Sequence, residues 1–279
     1  MPAVERDTGL GTTYERIAVA RMLERFAERR DVRRALEGPV DGITGIAGLN
    51  SIPLAQRGTS VELQLADQGQ VDLAKRVWHE LGLTDRSEIR VSSGGRLDVD
   101  GKAYDLVWNF NALPQSDDPE SLVAEMCEAS SRYVLIFVSN TWNYGFPVHR
   151  LHHFAAGDAW SHGDIAAMNV PLIERLLRGN GFRPVERLVV DTPWWPDIDS
   201  PIEEVIATFL PFLKKRVSGS KRLEHYTWRW DDLPYFDPAK REALMAEIGK
   251  HFAIERSAPS AIKLLFAHHR GVLAERTTE

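Results

Sequence analysis

The run Arg132-Tyr-Val-Leu-Ile-Phe-Val138 constrains the fold of this chain more than any other segment. After Arg132 every residue is apolar, and none alternates with a polar position. Such a strand has no face to offer to water, so it belongs inside a parallel sheet covered by helices on both sides. Further strands are predicted at Arg34–Glu37, Val61–Ala66, Ile89–Val91, Tyr104–Phe110, Phe182–Val190 and Ser260–Ala267, which with the central run makes seven. Helical segments separate most of them. That alternation argues for an α/β fold, a doubly wound, seven-stranded and mostly parallel sheet.

The helices carry their own boundary signals. The first is expected over Tyr14–Arg30, with Thr12 and Glu15 as a capping box and Ile17, Leu23 and Phe26 along one stripe. Asn50 is expected to cap a helix with Pro53 in its first turn. The Gln70–Leu81 helix turns Val71, Ala74, Val77 and Trp78 inward and stops at Gly82. Asp118-Pro119 opens a helix to Ala129, and Asn169 caps another that ends at Gly179-Asn180-Gly181. A helical and aromatic insertion, Thr192–Pro259, lies between the sixth and seventh strands. Its helices are expected to start at Ser200-Pro201, with Glu203 completing a capping box, and at Asp237-Pro238. The organisation expected is an N-terminal helical segment (1–30), a sheet domain (31–191 with 260–279) and an insertion within it (192–259).

Composition narrows the function classes. The net charge of −6 leaves no global basic field to recruit nucleic acid. The single cysteine, Cys127, cannot form an internal disulfide and points to a reducing compartment. No apolar run reaches the roughly 18–20 residues of a membrane span. Met1–Leu10 lacks the apolar core of a signal peptide, so a cytoplasmic location is expected.

In open α/β sheets ligands bind beyond the carboxyl ends of the strands. After the first strand comes a glycine-rich stretch, Gly38-Pro-Val-Asp-Gly-Ile-Thr-Gly-Ile-Ala-Gly48. Glycine lets backbone approach a ligand closely, although such loops also serve as plain turns. Asp67, closing the second strand, can accept hydrogen bonds from both ribose hydroxyls of a nucleotide or simply cap its helix. Asn109 and Asn111, after the fourth strand, either hold one end of a ligand or satisfy loop backbone.

The order RRALEG…DGITGIAGLNSIPLAQRG, VELQLADQGQVDLAKRV, YDLVWNFNALPQSDDPESLVAEM and RYVLIFVSN resembles the class I (Rossmann-like) S-adenosylmethionine (SAM)-dependent methyltransferases over about Tyr14–Phe154. The likeness returns in VPLIERLLRGNGFRPVERLVVD and AIKLLFAHH, which resemble that family's penultimate helix, sixth strand and antiparallel last strand. The resemblance implies SAM as cofactor and methyl transfer to a small-molecule acceptor. It implies Glu37 as the acid that orders the glycine loop and the amino acid end of SAM, and Gly38, Asp41, Gly42 and Gly45 as the loop. It further implies Asp67 as ribose ligand with Gln68 beside it, Ser93 at the adenine, and Asn109 near the methionine moiety. Two features depart from the family. The glycines come late, with Pro39 and Asp41 in places where glycine is usual, and Ser92-Ser93-Gly94 replaces a frequent Asp.

The acceptor side is expected along Asn140–Asp164, which is dense in functional side chains. A neutral histidine there can take a proton from an attacking group, and His149 and His153 are the candidate bases. Structural or solvated histidines are the alternative. His149, His152, His153, His162 and Asp164 could also ligate a metal, but their spacing matches no metal motif and none is expected. The insertion aromatics, among them Trp194, Trp195, Phe209, Phe212, Trp228, Trp230, Tyr235 and Phe236, form either a lid over a partly apolar acceptor or a small core. The apolar helix from Pro201, followed by Lys214-Lys215-Arg216, packs on the domain, a partner subunit or a membrane surface; a homo-oligomer is compatible with it. Tyr14 either closes over the cofactor or packs in the core. Two other functions remain open: a nicotinamide-dependent oxidoreductase, whose G-x-G-x-x-G and Tyr-x-x-x-Lys signatures are absent, and a non-catalytic SAM-binding or scaffold subunit.

Overall fold

The computed structural model describes residues 4–40, 45–92, 95–99, 101, 103–157, 160–197 and 224–277. Its strands in chain order are β1 (Arg6–Thr8), β2 (Arg34–Val40), β3 (Ser60–Leu65), β4 (Ser87–Val91), β5 (Tyr104–Phe110), β6 (Ser130–Ser139), β7 (Phe182–Val190), β8 (Thr227–Arg229) and β9 (His269–Arg276). Its α-helices are α1 (Gly9–Arg29), α2 (Ile52–Gln56), α3 (Gln68–Glu80), α4 (Pro119–Ala129), α5 (Phe146–Ala156), α6 (Val170–Gly179), α7 (Pro238–Ile248), α8 (Ala253–Ser257) and α9 (Ser260–Phe266). No helix among the described residues is long and apolar enough to cross a membrane.

Seven strands form one sheet in the order β4-β3-β2-β5-β6-β9-β7. The first five pair in parallel, and β9 runs antiparallel between β6 and β7. The apolar run of β6 lies inside this sheet with Val134 to Val138 wholly buried. Leu135 and Phe137 join a core with α1, α2 and α3, while Val134, Ile136 and Val138 join a second core with α4 and α6. Burying each such side chain stabilises the fold by about 1.5–3 kcal/mol. The chain steps outward from β2 to β4 and returns to β5 beside β2. The β2/β5 seam is therefore the switch point, where a doubly wound sheet opens a crevice at its carboxyl edge.

Several expected helix starts hold. Asp118, Asn169 and Asp237 each accept a backbone N–H in the first turn of their helices, and Asp67 does the same for α3, which begins at Gln68 and not at Gln70. Other expectations need correction. Helix α1 begins at Gly9, so Thr12 and Glu15 lie within it, and the Thr12 hydroxyl donates back to Thr8 O at 3.0 Å instead of capping. The residue before α2 is Ser51, and the Asn50 side chain instead accepts from Arg16 Nη1 at 2.6 Å. The helix expected from Ser200-Pro201, including Phe209 and Phe212, lies outside the described residues.

The seventh strand is not Ser260–Ala267. That stretch is α9, and the strand is His269–Arg276. A short apolar run fits a helix or a strand equally, and neighbours decide between them. Here the Asn140 amide donates to Leu264 O and Ala267 O at 2.7 and 2.8 Å, and the Asn143 amide to Phe266 O and Ala267 O at 3.0 and 3.1 Å. These buried asparagines satisfy the carbonyls that a helix leaves unpaired at its carboxyl end.

The aromatics of the insertion divide. Leu233, Tyr235, Phe236, Leu244, Ile248 and Phe252 share the main core with Tyr14 and Ile17 of α1. Strands β1 and β8 pair as a second, two-stranded sheet beside them.

The register of β9 is testable at Gly271, which sits opposite Phe137 of β6. A Cβ at Gly271 would lie 2.5 Å from Phe137 Cε1. Gly271→Ala is expected to lower stability by about 1–3 kcal/mol through overpacking, read as a lower urea midpoint at unchanged slope. Unaltered stability would contradict this pairing.

Candidate active site

The carboxyl edge of the sheet carries two neighbouring sets of side chains. The first surrounds the β2/β5 switch point. Glu37 of β2 is buried, and its Oε2 has no hydrogen-bond partner among the described residues. Burial pushes its carboxyl up to about 7, against hydrogen bonds from Ser51 and the nearby charge of Arg16, which lower it. Ser51 is held in place by Trp108 of β5, whose indole N–H donates to the serine hydroxyl at 3.0 Å.

The loop after β2 is anchored from the N-terminus. Arg16 of α1 pairs with Asp7 of β1 at 2.9 Å, both buried. Arg16 also donates to Ile46 O at 2.6 Å, and Asp7 Oδ1 accepts the Ile46 N–H at 2.7 Å. Gly45 has φ +67°, and a Cβ there would fall 2.0 Å from Asp7 Oδ1. Only glycine fits a left-handed position with a carboxylate against its α-carbon. Gly38 is also sterically tied, since a Cβ would approach Leu97 Cδ2 at 2.9 Å. Asp41, Gly42 and Ser93 lie outside the described residues.

Asp67 is half-buried at the carboxyl end of β3, where its Oδ1 accepts the Gln70 N–H at 3.0 Å. Gln68 is exposed and donates to Asp72 Oδ1 at 2.7 Å. The side chain of Asn109 turns to the α4 side of the sheet. Its amide donates to Met126 Sδ at 3.3 Å, and its buried Oδ1 has no partner among the described residues. Asn111 has φ 57°, and its Oδ1 accepts from the Ser139 N–H and hydroxyl, both at 3.0 Å. Tyr14 is wholly buried, stacked on Phe252 at 3.9 Å between ring centroids, with its hydroxyl donating to Glu255 Oε2 at 3.1 Å. Burial and Glu255 raise its pKa, so the phenol stays neutral. It packs edge-on against Trp195 at 5.6 Å.

The second set lines a cavity of about 400 Å³ at the ends of β5, β6, β7 and the start of β9. Asn111, Ser139, Asp191, His268 and His269 come from the sheet edge, Gly11, Thr12 and Glu15 from α1, and His149, Phe146, Trp160, His162, Met168 and Trp195 from the surrounding segments. Trp195 thus lines the cavity, while Tyr235 and Phe236 pack in the main core with α1 instead of forming a core of the insertion's own.

One wall is acidic and tightly coupled. His268 Nδ1 lies 3.0 Å from Asp191 Oδ2, and His268 Nε2 lies 3.2 Å from Trp195 O. Both ring nitrogens face acceptors, so both carry hydrogens. Despite burial, Asp191 and Asp197 push the imidazole up to about 10. Glu15 is buried beside Asp191, and burial followed by that charge pushes its carboxyl up to about 8. This wall sets a carboxyl held toward its neutral form close to an imidazole held toward its charged form, groups able to donate protons.

The opposite wall is the histidine group. His149 and His153 share one face of α5, and their Nε2 atoms are 3.2 Å apart. His162 places its Nε2 3.0 Å from that of His153. His149 and His162 line the cavity, and His153 sits behind them. Asp164 instead caps a turn, accepting the Ala166 N–H at 2.9 Å. Sequence reasoning missed Asp7, Glu15, Arg16, Asp191, His268 and His269. Asp191 closes a predicted strand just as Asp67 does, so the same end-of-strand rule finds it once applied to β7.

Comparison with solved structures places the fold. The [4+2]-cyclase SpnF superposes with a TM-score of 0.51 at 16% identity, over 93% of this chain and 81% of its own. Magnesium protoporphyrin IX methyltransferase (ChlM) from Synechocystis PCC 6803, solved with S-adenosylhomocysteine (SAH), superposes with 0.50 at 18% identity, over 67% and 80%. The YcgJ protein from Bacillus subtilis gives 0.51 at 10% identity, over 94% and 98%. At such identities the likeness is one of fold, and a cyclase beside a methyltransferase shows that the fold does not choose the chemistry. The sequence matches no protein-family model and no curated protein.

The coupled wall predicts a pH dependence. His268 is raised above its ordinary 6.5 to about 10, so its contribution to stability is complete below about pH 6.5 and is lost as pH rises through 10. Asp191→Asn removes the main charge that raises it. Between pH 7 and 10 the melting temperature of the wild type is expected to fall more steeply than that of the variant. Parallel profiles would contradict the pairing.

Proposed function

We propose that this protein binds SAM across the β2/β5 switch point and transfers its methyl group to a small molecule held in the adjoining cavity. The observation that carries this reading is Glu37, a buried carboxyl with one oxygen unpartnered among the described residues, at the point in β2 where its pairing with β5 ends and the crevice of a doubly wound sheet opens. Leaving such a group unsatisfied costs about 1–3 kcal/mol, which a ligand donor would restore. SAM offers suitable donors, an ammonium group and a ribose diol. Glu37 suits the ammonium end, directly or through the loop of Gly38, Asp41, Gly42 and Gly45. Asp67, with Gln68 beside it, suits the diol, and Ser93 the adenine. Asn111 suits the methionine moiety, whereas the Asn109 side chain, expected there too, faces Met126 on the α4 side of the sheet, away from Glu37.

When bound, SAM supplies an electrophilic methyl group and leaves as SAH. The protein's own contribution is alignment, exclusion of water and removal of the nucleophile's proton. Phe146, Trp160, Met168 and Trp195 give the cavity apolar walls, which favours an acceptor that is apolar or aromatic in part. His149 faces the cavity and is placed to take the proton, with His153 in contact behind it. Glu15 and Asp191 face the acceptor from the other side.

Isothermal titration with SAH tests the cofactor half. Binding to the wild type is expected, with Glu37→Gln and Asp67→Ala each weakening it by about 10–100-fold, the worth of a charge-assisted hydrogen bond. Because burial pushes the Glu37 carboxyl up to about 7, affinity for the ammonium end of SAH is expected to rise with pH through that region in the wild type and not in Glu37→Gln. Binding of NADH in place of SAH, or unchanged affinity in both variants, would contradict the proposal.

A further inference from the structure

We infer that His149, His153 and His162 form a binding site for one divalent transition-metal ion, zinc by preference, on the wall of the acceptor cavity. The ligand atoms of the three residues all lie within 4.8 Å of one another. Nε2 of His153 is 3.2 Å from Nε2 of His149 and 3.0 Å from Nε2 of His162. A single imidazole nitrogen carries either one hydrogen or one lone pair, so His153 Nε2 can satisfy only one of these contacts as a hydrogen bond. Tetrahedral zinc with Zn–N near 2.0–2.1 Å requires its nitrogen ligands about 3.3–3.4 Å apart, close to the spacing already present.

Local structure supports the same reading. His149 and His153 are four residues apart on one face of α5, the helical spacing with which two histidines grip one ion. His162 arrives from the segment that follows and completes a set of three. Three imidazoles without thiolate or carboxylate suit zinc and its first-row neighbours rather than magnesium or calcium. Three protein ligands leave a fourth position open, the arrangement of catalytic rather than structural zinc. Since His149 and His162 line the cavity, that position faces the acceptor. An oxygen or sulfur of the acceptor bound there would be oriented and made more acidic by the ion, which would take over the task of the His149 lone pair. That role rests on the cavity being the acceptor site; the metal site itself does not.

The test is titration of untagged, full-length, metal-stripped protein with Co²⁺ as a spectroscopic probe, followed by displacement with Zn²⁺. One Co²⁺ per chain is expected, with visible absorption bands of four- or five-coordinate nitrogen ligation. His153→Ala and His162→Gln are each expected to weaken binding by about 100-fold or more, beyond what an outer-shell partner is worth, while SAH affinity stays unchanged. The wild-type spectrum stands as a readout even if a variant fails to fold. Absence of stoichiometric binding to the wild type, or full binding by the folded triple variant His149→Gln/His153→Ala/His162→Gln, would overturn the site. SAH binding without metal binding defeats this inference alone. Metal binding without SAH binding supports the site and defeats the cofactor proposal.

Discussion

The buried ion pair of Asp7 and Arg16 is the constraint on which the rest of the site depends. It joins β1, the first turns of α1 and the loop after β2 in one network that includes Ile46 and Asn50. Every branch of it is hydrogen-bonded, which is the condition under which a buried pair is tolerable; removing one partner of such a pair costs about 3–5 kcal/mol. The pair also fixes direction. Arg16 turns toward the loop and Glu37, while Glu15, its neighbour, faces the cavity. One turn of one helix therefore reaches both the loop beside Glu37 and the cavity.

The two halves are tuned by the same physics. Glu37 and Glu15 are both pushed toward the neutral form by burial, Glu15 with the added charge of Asp191. Among the described residues Glu37 has an unpartnered oxygen, and burial with the charge of Asp191 favours the protonated form of Glu15. Across the cavity stand the imidazoles of His149 and His162, and Phe146, Trp160 and Met168 make the space between partly apolar.

The fold was largely legible because its decisive signals are local. An all-apolar run such as that of β6 admits few placements, and Asp67, Asp118, Asn169 and Asp237 mark helix starts through side chains acting within their own turn. The failure at Ser260–Ala267 has a different origin. Whether that stretch is helix or strand is decided by Asn140 and Asn143, more than a hundred residues away. The error carried a cost for the site, because placing the strand too early put His268 and His269 past its end. In an antiparallel strand they stand at its beginning, on the carboxyl edge of its parallel neighbours, where the cavity lies. Asp7 and Arg16 were illegible for a similar reason: nothing in a polar N-terminal stretch announces a partner in a loop about forty residues on. The histidine spacing likewise gave no metal motif, because His162 joins the α5 pair only through the path of the chain between them.

A crystal structure of the protein with SAH tests the central claim most directly. The account predicts the ligand in the crevice between β2 and β5, with its ribose hydroxyls on Asp67, its amino acid end toward Glu37, and its sulfur directed at the cavity bounded by His149 and Asp191. An adenosyl ligand seated away from both carboxylates, or with its sulfur turned from that cavity, would contradict it.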